Sequence, residues 1–156
     1  MKSLNYTLNL DNPTAYIITI KDNITSENLS TRCQESCRKV DQPFQVWDAF
    51  DGTSGTIITP QHALTQDHYS FLKQMNDRLT IGEVACILSH YSLWCKCVFD
   101  DKPIVILEHD AIMVQPYKYH NGWNQINYLG NLQQYQENKY PDFPPHSAAN
   151  TNWKFI

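Results

Sequence analysis

Two carboxylates, Glu108 and Asp110, close a pure apolar run, and His109 stands between them. Hard oxygen donors of this kind suit Mg2+ or Mn2+, above all when a diphosphate completes the coordination. If Ile104-Val105-Ile106-Leu107 is a strand, side chains alternate across it; Glu108 and Asp110 then point one way, their Cα atoms roughly 6.6 Å apart, and His109 points the other. A solvated acidic turn is the alternative, and the residue types alone leave both open. A second pair, Glu83 and His90, has acid–base chemistry to offer. Seven positions apart on a helix, at about 100° per residue, they fall within roughly 20° of one another, with Trp94 nearby. Thr80-Ile81-Gly82-Glu83 also matches a capping box, which by itself accounts for Glu83. A lone helix histidine such as His90 is often a satisfied structural group.

These side chains need a frame, and the pattern of apolar residues supplies one. Ala15 to Ile20 is a short β-branched run ending in Lys21-Asp22-Asn23, which suits a buried strand opening into a loop. Leu29, Cys33, Cys37 and Val40 recur at helical spacing. The C-x-x-x-C pair could be half a metal site, but both thiols lie on that apolar face, which favours core packing. Phe44 to Trp47 is a second strand candidate, ended by the turn residues Asp48-Ala49-Phe50-Asp51-Gly52. Thr59-Pro60 resembles a helix cap followed by proline at the first helical position, leading into a helix through Met75. After the capping box, Val84, Ile87, Leu88, Tyr91, Cys95 and Val98 form the stripe expected to face the core. Asp100-Asp101-Lys102-Pro103 breaks that helix. The unalternating Ile104 to Leu107 reads as the central, interior strand of a parallel sheet beside Ala15 to Ile20. Alternating strands and helices make the fold class α/β.

The whole chain bounds what the frame can serve. Its 156 residues, 42% hydrophobic, fit a single domain, 1–156. A formal charge of −4 has the wrong sign for a protein whose main task is holding nucleic acid, and an anionic ligand would need a local cation or a metal. The start, MKSLNYTLNLDNPT, lacks the apolar core of a signal peptide, and no window approaches the roughly 20 apolar residues of a membrane span. A soluble, cytoplasmic protein is the expectation. Five cysteines in such a compartment are expected as free thiols, in neither disulfides nor structural metal sites, and the Asn-x-Ser/Thr matches at Asn5, Asn23 and Asn28 as chance. From Tyr117 on, the chain is rich in Tyr, Asn, Gln and Pro, with regular structure expected only around Ile126 to Leu129.

Four segments in order, the strand Tyr16 to Ile20, "FQVWDAFDG" (Phe44 to Gly52), "LTIGEVACILSHYSLW" (Leu79 to Trp94) and "IVILEHDAIM" (Ile104 to Met113), resemble glycosyltransferase family 25. That family includes lipopolysaccharide sugar transferases and collagen galactosyltransferases. The resemblance runs from about Tyr16 to Gly130. It implies a GT-A-like, Rossmann-type nucleotide-binding fold with a mainly parallel sheet flanked by helices, the core occupying 1–116 and an acceptor-side or truncated region 117–156. It also implies a nucleotide-sugar donor, most simply a UDP-sugar, a saccharide or lipid-linked saccharide acceptor, inverting hexosyl transfer, and Mn2+ or Mg2+. Asp110 would be the direct metal ligand and Glu108 would support the metal or the donor. Ile20 and Lys21, where the first strand opens, are the further donor-binding candidates, and Glu83 and His90 the candidate bases for the acceptor hydroxyl. A lipid-linked acceptor would allow peripheral membrane association. The family's usual middle Asp is His109 here, which lowers the local negative charge by about one unit near neutral pH. The alternative is an inactive nucleotide-sugar-binding or interaction module that keeps only the core of the fold.

Overall fold

A computed structural model describes residues 12–62 and 79–117. Strand β1 (Ala15–Thr19) is buried at every position, as a run without polar alternation must be when both faces are covered. It pairs in parallel with β2 (Phe44–Asp48) on one side and β3 (Val105–Glu108) on the other, giving the order β2-β1-β3. Ala15 is in register with both Phe44 and Val105, and Ile18 with both Trp47 and Glu108. Among the described strands the middle position belongs to β1, with the expected neighbour β3 beside it. β3 spans Val105–Glu108 and has β1 as its strand partner among the described residues.

A helix covers each face. On one, Ala15, Ile17, Val105 and Leu107 pack against Cys33 and Cys37 of helix α1 (Ile24–Lys39). On the other, Tyr16 and Ile18 meet Ala49 and Leu93, with Trp47, Ile104 and Ile106 at the margin; Leu93 belongs to helix α2 (Ile81–Asp100). This is an α/β, Rossmann-like arrangement, as expected. The two cysteines are fully buried, and burial pushes the Cys33 thiol up to about 12; they serve as small apolar packing groups.

Helix α1 starts five residues before Leu29. Asn23 is its N-cap, its side chain accepting from the Ser26 N–H at 3.0 Å. Asp22 turns the chain into the cap at φ 60°. The hydrophobic pattern misses the start of this helix because serines share its inward face: Ser26, Ser30 and Ser36 are all buried. Each has a polar task, for Ser26 Oγ accepts from the Ile20 N–H, Ser30 meets the Thr19 hydroxyl at 2.7 Å, and Ser36 accepts from the Met113 N–H.

Helix α2 has the expected capping box in full. The Glu83 N–H donates to Thr80 Oγ1, and the Thr80 N–H donates to the Glu83 carboxylate at 2.8 Å. It ends at Asp101, left-handed at φ 50°, just before Lys102-Pro103. The face it buries differs from the expected stripe. Ala85, Leu88, Ser89, Ser92 and Leu93 point inward, while Val98 is 81% exposed and Cys95 only partly covered. Serines again explain the rotation. Ser89 and Ser92 return their own protons to carbonyls within the helix, which leaves each oxygen free to accept, from the Phe50 N–H and the Trp47 Nε1–H respectively, both at 2.9 Å. Gly52 completes the dock, since a Cβ there would lie 2.7 Å from the Ile81 carbonyl oxygen.

Thr59 to His62 form loop and turn, so Pro60 does not open a helix. The remainder of the helix expected through Met75 falls on 63–78, and the segment around Ile126 to Leu129 on 118–156, both outside the described residues.

Candidate functional site

The three described strands are parallel, so their carboxyl ends share one edge of the sheet. β1 is joined through α1 to β2 on one side, while β3 lies on the other. The connectivity therefore reverses beside β1, the place where open α/β sheets bind ligands. A cavity of about 330 Å3 opens at this edge, over the ends of β1 and β2. Lys21, Asp22 and Asn23 line it from the loop after β1, Asp48, Ala49 and Asp51 from the end of β2, and Thr59 to Gln61 from the far wall. Lys21 is thus on the cavity. Ile20 sits just behind it, packed on the core around Tyr16 and Ile18. The Asp51 side chain is occupied, accepting from the Thr53 N–H and hydroxyl at 2.8 and 2.7 Å.

Glu108 ends β3 on the face toward α2. Its Oε1 lies 3.0 Å from His90 Nε2 and 4.0 Å from Cys86 Sγ. Cys86 and His90 are four residues apart, one helical turn, so their side chains stack on the same side of α2. Hydrogen bonding to Cys86 first, and then to Glu108, pushes the His90 imidazole up to about 9 against the opposing effect of burial. The same contact with His90 holds the Glu108 carboxyl below its ordinary value. At neutral pH the pair is an imidazolium on a carboxylate. The sequence put His90 beside Glu83, but Glu83 is committed to the start of the helix. Its carboxylate is fully exposed and held below its usual value by the Thr80 backbone and then by the Thr80 hydroxyl. Cys86 escaped notice as a site residue because it lies off the apolar stripe and its partner, Glu108, is 22 positions away.

Beyond Glu108 the strand stops. The Ala111 N–H closes a turn onto the Glu108 carbonyl, and Ala111, Met113 and Tyr117 then run along the α1 face of the core. Period-two alternation ends with the strand at Glu108, so it no longer places Glu108 and Asp110 on one face. Glu108 engages His90 on α2, whereas the charge of exposed Asp110 is felt at the buried Cys33 thiol on α1. His109 lies between them and reaches the other helix: Nδ1 is 3.1 Å from Ser26 Oγ, the atom that also accepts from the Ile20 N–H. One serine therefore joins the ends of β1 and β3 across the point of reversal.

Comparison with known proteins agrees with this frame. Over 73 residues the chain is 33% identical to lipooligosaccharide biosynthesis protein lic2B of Haemophilus influenzae, a stretch covering 46% of this chain and 24% of that protein. Over 57 residues it is 35% identical to a glycosyltransferase 25 family member of Drosophila melanogaster, covering 36% of this chain and 9% of the relative. The matched stretches thus span a minor part of either relative's length. No solved structure matches. The model of the family described as glycosyltransferase family 25 (LPS biosynthesis protein) matches residues 12–151, which takes in every described strand and helix and the carboxyl-edge loops: the chain belongs to glycosyltransferase family 25.

Proposed function

We propose that the chain provides the nucleotide-sugar-binding core of a glycosyltransferase. It would move a hexosyl group, with inversion, from a UDP-sugar to a saccharide or lipid-linked saccharide of the lipopolysaccharide kind. The observation that carries the reading is the cavity at the carboxyl edge, with Lys21 in its wall, in a chain of this family. The molecule is acidic, at −4, so a diphosphate needs a local cation, and Lys21 supplies one in the loop after β1, next to the reversal between β1 and β3. A GT-A-type donor site and a cytoplasmic setting go with this reading.

Asp110 and Glu108 are hard oxygen donors at the same edge. Asp110, exposed at this edge, would hold Mn2+ or Mg2+ directly, while Glu108, turned toward α2 with its side chain 53% accessible, would support the donor. When bound, such a cation offsets the negative charge that develops on the departing diphosphate. His90 serves as a positioning group in this scheme. It is protonated near neutral pH and fixes the Glu108 carboxylate, which leaves it no lone pair for an acceptor hydroxyl. Glu83 carries the lowered basicity of its cap.

The test is ligand-induced stabilisation. UDP-sugar with Mn2+ at about 100 times Kd should add roughly 2.7 kcal/mol to the folded state, worth several degrees in Tm. Asp110→Asn should leave the ligand-free Tm within a few degrees and abolish the rise. An equal rise in both proteins removes Asp110 from the site. A rise in neither removes the donor reading, and transfer or hydrolysis of the bound donor separates an active enzyme from a binding module.

A further inference from the structure

We propose that Cys86, His90 and Glu108 form a binding site for a thiophilic divalent transition ion of the zinc class. The Cys86 Sγ, a His90 ring nitrogen and a Glu108 carboxylate oxygen all lie within 4.8 Å of one another. Two of the three come from one turn of α2 and the third from the end of β3, so regular elements hold all of them. Zinc bonds of about 2.0–2.1 Å to nitrogen, 2.0–2.2 Å to oxygen and 2.3 Å to sulfur, at tetrahedral angles, separate nitrogen from oxygen by about 3.4 Å and sulfur from oxygen by about 3.6 Å. The structure has 3.0 and 4.0 Å. These two separations need to change by only a few tenths of an ångström, and the sulfur lies within 4.8 Å of the nitrogen, so side-chain rotation can gather the three atoms around one ion.

The donor chemistry selects the ion. A thiolate and an imidazole favour zinc, cobalt or copper over Mg2+ and Mn2+, which prefer oxygen. Three protein ligands leave a tetrahedral ion one position for water or a further ligand. An entry path exists, since Cys86 is exposed and Glu108 half accessible. Binding is a simple exchange. The ion takes the sulfur, nitrogen and oxygen lone pairs, and the thiol and imidazolium protons pass to solvent, so affinity rises with pH. The site does not depend on sugar transfer; it needs only the three side chains in place.

Metal-free protein titrated with Co2+ tests it directly. One equivalent should produce thiolate-to-cobalt charge-transfer absorption together with the intense visible bands of a tetrahedral ion, and Zn2+ should bleach both. Cys86→Ser should abolish the charge-transfer band. Loss of a supporting contact around a bound metal costs 10–100-fold in affinity, so loss of a ligand in His90→Gln or Glu108→Gln should cost at least about tenfold. Cys95→Ser is the control and should keep the full spectrum. Circular dichroism of the metal-free variants shows whether each has folded. In the unaltered chain, Zn2+ should also protect Cys86 from alkylation, read by peptide mapping. No thiolate band with Co2+, a band that survives in Cys86→Ser, or unchanged alkylation of Cys86 in excess Zn2+ overturns the site.

Discussion

His90 carries a proton at neutral pH because two partners reward it, Cys86 and Glu108. A folded-state value of about 9 against an ordinary 6.5 means that the folded chain holds a proton the unfolded chain has released between those limits. Its contribution to stability is therefore complete below about pH 6.5 and fades as pH rises toward 9. Glu108 works in the opposite sense. Held below its ordinary 4.5, it contributes above that value, and the contribution is lost as pH falls through the folded-state value. We expect urea unfolding in metal-free buffer to show stability declining from pH 6.5 to 8, and His90→Gln to flatten that decline. The window stays below the ordinary thiol value of 9.0, so the raised Cys33, Cys37 and Cys97 do not confuse it. An unchanged slope in the variant would detach His90 from Glu108. Of this cluster, Glu108 and His90 were visible in the sequence as reactive residue types, but their pairing was not. It depends on which face α2 turns to the sheet, and Cys86 enters only once that face is known.

That face of α2 is set by two hydroxyls that apolar periodicity does not weigh. The doubly covered β1 was legible because burial on both sides demands an unbroken apolar run, and the start of α2 because Thr80 and Glu83 satisfy one another across three residues. The inward side of the helix was not, because Ser89 and Ser92 dock it by accepting from Phe50 and Trp47, while Val98, expected inside, is solvated. The two readings give different stability ledgers. Ser89→Ala removes the hydroxyl that accepts from the buried Phe50 N–H and should cost about 1–3 kcal/mol, whereas Val98→Ser should change stability by no more than about 0.5 kcal/mol. Denaturant midpoints for the two variants decide between the faces; a costly Val98→Ser with a neutral Ser89→Ala would restore the apolar stripe. Thr80→Ala removes the N-cap of the same helix and should cost about 1 kcal/mol.

Every described strand pair in the molecule includes β1, so damage there reaches both sides of the sheet. Ile17 is fully buried and pairs with Val46 and Leu107. Ile17→Ala should cost about 2–5 kcal/mol, and unfolding followed by tryptophan fluorescence and by thiol exposure should shift together. Cys33 and Cys37 suit the second probe, being fully buried; in the folded chain they should resist a thiol reagent that modifies exposed Cys86 promptly. The placement of β1 also governs the order in which the molecule assembles. Ala15 finds Phe44 after 29 positions but Val105 only after 90, and closing the longer loop costs about 1 kcal/mol more in chain entropy. The β1-α1-β2 unit therefore forms first, with contacts close in sequence, and β3 is added late. During synthesis, the edge of β1 that will receive β3 stays unpaired until more than a hundred residues have emerged. In that interval it offers a row of free amide and carbonyl groups beside an uncovered apolar surface, an open template for another nascent chain.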